Sequence, residues 1–99
     1  MTKTEKVQKI IALALALNPT ETEQEITGSK PTVFAQFSGH TAGLYVSVHE
    51  SGWTRDNEPD YDRIIYLDKD GSENLLDKVI EKLTGLYNEW KEKETYETV

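Results

Sequence analysis

Residues 32–50 read TVFAQFSGHTAGLYVSVHE, and two alternating runs around a glycine-flanked turn decide the fold. Side chains alternate between the two faces of a strand. In Thr32–Ser38, Val33, Ala35 and Phe37 share one face, and Phe34, Gln36 and Ser38 the other. In Leu44–Glu50, Leu44, Val46 and Val48 form a clean apolar face opposite Tyr45, Ser47 and His49. Gly39–Gly43 joins them as a short connection, so the two strands pair antiparallel as a hairpin.

A third strand is expected at Tyr61–Leu67 (YDRIIYL), after a charged loop, Thr54–Asp60, that Pro59 helps to close. Ile64 and Ile65 fall on opposite faces. Ile65 with Leu67 suits the core, which leaves Ile64 and Tyr66 on the other face. The turn Asp68–Ser72 then leads into a helix running to about Lys91. Asp70 or Ser72 is its expected cap, with Glu73 three residues after Asp70. Leu75, Leu76, Val79, Ile80, Leu83, Leu86, Tyr87 and Trp90 recur at three-four spacing, the mark of a buried helix stripe. Gly85 within it is a place for another backbone to come close. Glu92–Val99 is expected to be a frayed tail.

Before the hairpin, Thr2 and Glu5 have the spacing of a capping box, and a helix over about Lys3–Leu17 follows. Its stripe is Val7, Ile10, Ile11, Ala14 and Leu15. Leu13 and Leu17 make the second half apolar nearly all round, as in a helix deeply buried or shared with a partner. Asn18-Pro19 stops it, because the residue before proline avoids helical backbone. Thr20–Pro31 is a polar loop in which Ile26 and Thr27 offer one short edge strand. The expected order is helix, three-stranded antiparallel meander, helix, with both helices on the sheet: a two-layer α+β fold in a single domain, 1–99.

The 99 residues hold 36% apolar positions, so the core is small and an oligomer could complete its burial. Eleven basic against eighteen acidic residues give a net charge of −7, which argues against direct binding to nucleic acid or an anionic membrane. The longest apolar run, Ile10–Leu17, is eight residues, far below the roughly 20 that span a bilayer. Lys3, Lys6 and Lys9 ahead of it suggest a signal peptide, but Glu5 among them and the minimal run favour a helix of a cytoplasmic protein. The chain has no Cys, which removes disulfides, thiolate catalysis, Cys-type zinc sites and iron–sulfur clusters.

Candidate sites are accordingly surfaces. Phe34, Tyr45, Ile64 and Tyr66, with Gln36, Ser47 and His49, share the sheet face opposite the core. Trp53 stands at the end of the second strand. Phe34, Tyr45, His49, Trp53 and Tyr66 are the candidate partner-binding residues, for a protein partner or a second copy in a homodimer. An aromatic open sheet also resembles single-strand RNA platforms, but those need a basic surround that this chain lacks. Asp56, Glu58, Asp60, Asp62, Asp68 and Asp70 form a candidate acidic surface, close in sequence to Glu50. Its plain reading is solubility. Its functional readings are an imitation of a phosphate backbone that occupies a nucleic-acid channel, or calcium. Asp68-Lys69-Asp70-Gly71 begins like a calcium loop, but its Gly comes two positions early and Val79 stands where a final acid belongs.

No catalytic, metal-ligating or cofactor-binding residue emerges. His40 and His49 lie too far apart along the chain for joint ligation, and Ser47 with His49 lacks a nucleophile elbow or anion nest. No phosphate loop or dinucleotide fingerprint occurs. Glu97-Thr98-Val99 loosely suits capture of a terminal carboxylate by strand addition, and reads as a frayed end. The reading is a small acidic non-enzymatic interaction or regulatory module. A nucleic-acid-mimic inhibitor is the alternative, of the kind found among phage and mobile-element accessory proteins.

Overall fold

The computed structural model describes residues 1–18 and 30–97, with the side chains of 93–97 left undescribed. The expected short strand at Ile26 and Thr27 and the terminal Thr98-Val99 lie outside the described residues. Helix α1 spans Lys3–Leu17, strands β1, β2 and β3 span Thr32–Ser38, Gly43–His49 and Tyr61–Tyr66, and helix α2 spans Ser72–Glu97. The sheet order is β1-β2-β3 and both pairings are antiparallel. This is the expected two-layer α+β fold. Helix α2 continues to Glu97 instead of ending near Lys91.

The capping box at the start of α1 forms as read. Thr2 Oγ1 accepts from the Glu5 amide at 3.1 Å, and Glu5 Oε1 accepts from the Thr2 amide at 2.9 Å. The bonds with Thr2, from its backbone first and then its side chain, hold the Glu5 carboxyl below the usual carboxylate range. A lowered folded pKa adds stability above the unfolded value and loses it as pH falls through the folded one. The first turn of α1 should therefore loosen in acid, and Glu5→Gln should remove that pH dependence. Amide exchange at Lys3–Lys6 across an acid titration reads the effect; an identical pH profile in both proteins would refute it.

The start of α2 differs from the expectation. The Ser72 side chain is buried, and its Oγ donates to the Leu67 carbonyl at 3.2 Å, so it ties the helix to the end of β3. Lys3 Nζ donates to the same carbonyl at 2.6 Å, which anchors α1 there too. Gly71 adopts a φ of 84°, a left-handed backbone that suits glycine in the tight entry to the helix.

The core joins Ile10, Leu13 and Leu17 of α1, Leu44, Val46 and Val48 of β2, Ile65 of β3, and Leu76, Val79, Leu83 and Leu86 of α2. The α2 stripe is therefore as read. On α1 the buried edge is rotated: Leu13 and Leu17 are core, while Leu15 is 49% exposed. A helix apolar nearly all round has no unique inner face by periodicity, and packing on α2 makes the choice. Lys6 Nζ pairs with Asp77 at 2.9 Å and marks the side of α1 turned toward α2.

The parity of β3, which the sequence leaves open between Ile64 and Ile65, resolves with Ile65 inward and Ile64 and Tyr66 outward. Tyr61 and Arg63 also fall on the helix side, registered against Val48 and Val46. The Arg63 guanidinium and Lys82 Nζ lie 6.0 and 5.8 Å from the Tyr61 ring, and Lys82 also pairs with Glu50. Phe37 has inward parity yet is 55% exposed, because it sits on an edge strand at the margin of the helix layer. Gly85 is exposed, with open space where a Cβ would stand, so no backbone among the described residues approaches it.

Candidate functional site

Both helices cover one side of the sheet, and the register sets the composition of the other. Phe34, Ser47 and Asp62 form one cross-strand row, Gln36, Tyr45 and Ile64 the next, and Ser38, Gly43 and Tyr66 the third. Thr32 pairs with His49 at the far end. Phe34, Ile64 and Tyr66 are 44%, 55% and 48% exposed, a large uncovered apolar area for one small face. Tyr45 stands half-buried between two depressions. One, of about 360 Å³, is lined by Phe34, Gln36, Ser47, His49 and Pro59 as well as Tyr45. The other, of about 210 Å³, lies beside Gly43, Ile64 and Tyr66. A Cβ on Gly43 would meet the Tyr66 ring at 3.6 Å, so the bare backbone there lets that ring lie close over β2.

His49 is on this face as expected, but it is buried, as is Ser47. The Phe34 ring meets the imidazole edge-on, with centroids 5.8 Å apart and planes at 72°. Its Nδ1 is buried without a hydrogen-bond partner. Alternation assigned His49 to the outer face but not its burial; there it meets the Phe34 ring and shares a depression with Pro59. His40 is exposed in the hairpin turn.

Trp53 is half-buried, and its amide donates to Thr32 Oγ1 at 3.0 Å, so the connection after β2 folds back to the start of β1. Polar side chains hold that connection in place. Asn57 accepts from the Thr54 amide at 3.0 Å and donates to the Gly52 carbonyl at 2.9 Å. Asp60 accepts from the Glu50 amide at 2.7 Å.

The acidic residues do not gather at one point. Asp56, Glu58 and Asp60 lie at the His49 end of the sheet, Asp62 is on the helix-free face, and Asp68 and Asp70 follow the other end of β3. Six strand residues at roughly 3.3 Å each separate the two ends by about 20 Å. Among the described residues, no three His, Asp or Glu side chains converge as a metal site would require. No helix among them is long and apolar enough to cross a membrane.

One feature escaped the sequence reading. A cavity of about 420 Å³ between β3 and α2 is lined by Tyr61 and Arg63 together with Glu50, Glu81, Lys82 and Glu89, among others. Tyr61 Oη and Arg63 Nε are buried there without partners. The parity that puts Ile65 in the core also fixes these two inward, and that was the available signal. The cavity sets acids against bases and so expresses no preference for one sign of ligand. Comparison with protein-family models, curated proteins and solved structures finds no match to this chain.

Proposed function

We propose that this chain is a non-enzymatic protein-interaction module whose contact surface is the helix-free face of the sheet. The supporting observation is the uncovered set Phe34, Ile64 and Tyr66 around half-buried Tyr45 on a rigid three-stranded platform. Aromatic anchors on a fixed scaffold are the composition typical of interface centres. The strand residues of this face include no Lys or Arg; Asp62 is on it, and acids stand at both of its ends. The partner that fits is a protein with an apolar centre and a margin of Lys and Arg. A second copy set face to face would bring acid against acid. The lack of Cys suits a reducing compartment, and the encounter is assigned to the cytoplasm.

The test is p-benzoylphenylalanine at position 66, in the cells that naturally carry the gene, with position 81 on exposed α2 surface as the control. Adducts to a protein are expected from 66 and not from 81. Ile64→Asp should cut the yield about tenfold, the effect of losing one interface anchor. Equal adducts from position 81, or adducts that survive Ile64→Asp, would remove this reading.

A further inference from the structure

Strand β1 is an edge of the sheet, and nothing in its sequence protects it. Thr32–Ser38 contains no charge and no proline, and its register with β2 runs without a bulge. Natural edge strands are usually blunted by one of these devices. The opposite edge, β3, has Asp62 and Arg63.

The hydrogen bonds show which β1 groups point outward. The Val33 amide donates to Asn18 Oδ1 at 2.7 Å, and Asn18 Nδ2 donates to the Pro31 carbonyl at 3.0 Å. The Asn18 carboxamide thus occupies the place of a neighbouring strand's peptide group. Val33, Ala35 and Phe37 therefore direct their backbone groups away from β2. Asn18 occupies the Val33 N–H, whereas among the described residues no group bonds the outward N–H and C=O of Ala35 and Phe37.

An uncharged strip continues from this edge onto α1. Thr4, Gln8, Ile11 and Leu15 recur at helical spacing on the side turned away from the Lys6–Asp77 contact with α2. Leu15 is 49% and Phe37 55% exposed, and Thr4, Val7, Gln8, Phe37 and Leu67 line a mostly apolar hollow of about 370 Å³ together with Lys3, whose Nζ is held by the Leu67 carbonyl.

We propose that a second copy of this chain docks here. The two β1 strands pair antiparallel about a two-fold axis, and the two α1 helices meet through Ile11 and Leu15. The open backbone groups select the register. Ala35 of one copy exchanges hydrogen bonds with Phe37 of the other, which places Gln36 opposite its own symmetry mate. A register centred on Ala35 would need the Val33 N–H that Asn18 holds. Charge selects the occupant. Each chain has a net charge of −7, yet the residues of the strip and its hollow include no acid and one base, Lys3, and Asp56–Asp70 belong to the far strand and its flanking connections. A second copy is therefore admitted here without opposing like charges. The result is a six-stranded sheet whose continuous helix-free face stays open to the protein partner, because the contact between copies lies on the β1 edge and α1.

The absence of Cys makes a direct test available. In the proposed register Gln36 forms a non-hydrogen-bonded pair with itself, with Cα atoms about 4.5 Å apart, inside the range a disulfide spans. Under mild oxidation Gln36→Cys should give a covalent dimer rapidly. Phe34→Cys, whose copies would stand about 13 Å apart along the strands, should not. Light scattering should give twice the 11.3 kDa chain mass for the unaltered protein. Leu15→Lys, at an exposed position, should weaken the dimer at least tenfold with circular dichroism unchanged. A monomeric mass at hundreds of micromolar overturns the proposal, as does a dimer in which Gln36→Cys oxidises no faster than Phe34→Cys. Loss of the position-66 adducts with the dimer intact would strike only the partner-binding reading.

Discussion

Leu83→Ala should cost about 2–5 kcal/mol of folding stability, the range for deleting a buried leucine side chain into a cavity that cannot fully collapse. Leu83 is fully buried in the α2 stripe between Val79 and Leu86, facing a core of eleven residues. Helix and sheet both contribute to that core, so neither layer can move to fill the gap without uncovering the other. A domain this size has only about 5–15 kcal/mol in total, so the variant sits near the limit of folding. Ile64→Ala is the matched control, a truncation at a position 55% exposed. It should cost less than about 1 kcal/mol. Denaturant titration at one fixed chain concentration checks both, with the midpoint shifting and the slope unchanged. Near-equal costs would mean that the buried face of α2 is elsewhere.

Strand β2 and helix α2 were legible in the sequence for one reason: each carries a single period with a polar complement, whereas β1 and β3 have apolar residues on both faces and take their orientation from pairing with β2. Alternation in β2 separates Leu44, Val46 and Val48 from Tyr45, Ser47 and His49, and three-four spacing in α2 picks out Leu76, Val79, Leu83 and Leu86. Helix α1 lacks that contrast. Ala12 to Leu17 is apolar at every position, so spacing places Leu15 in the stripe and Leu13 at its margin, and the contact with α2 reverses them. Phe37 shows a second limit. Parity assigns a side chain to a face, but an edge position can still leave it in water.

The candidate face was legible to the same degree. Its membership follows from parity, and the register then places Tyr45 beside Gln36 and Ile64. Burial within that face was not legible. Ser47 and His49 are covered by groups that reach them across strands or from the Pro59 connection, and no local pattern encodes such cover. The acidic stretch was misleading in the other direction. Residues adjacent in sequence are carried to opposite ends of β3, because an extended strand separates what a helix or loop would gather.

Asn18→Ala should cost about 2–3 kcal/mol, although the sequence marks Asn18 only as the residue before a proline. Its amide continues the helical pattern by donating to the Ala14 carbonyl at 2.8 Å, and alanine preserves that bond. Its side chain does more. Oδ1 accepts from the Val33 amide, and Nδ2 donates to the Pro31 and Leu17 carbonyls at 3.0 and 3.1 Å. One carboxamide therefore joins the end of α1 to the start of β1 across a long connection. Alanine leaves three partly buried backbone groups without their partner, and each orphaned group costs about 1–3 kcal/mol when water cannot replace the bond. The site is half-buried, so water recovers part of that loss. Asn18→Asp isolates the donor. It keeps an acceptor for Val33 but turns a carboxylate toward two carbonyls at the negative end of a helix. A carboxylate cannot donate to either carbonyl, so this variant should be no more stable than the parent and should lose the two donor bonds while keeping the Val33 acceptor. Denaturant titrations of both variants at neutral pH separate the outcomes. An alanine variant within about 0.5 kcal/mol of the parent would mean that the side chain adds nothing beyond a surface residue. An aspartate variant as stable as the parent would mean that the donor bonds to the two carbonyls add nothing.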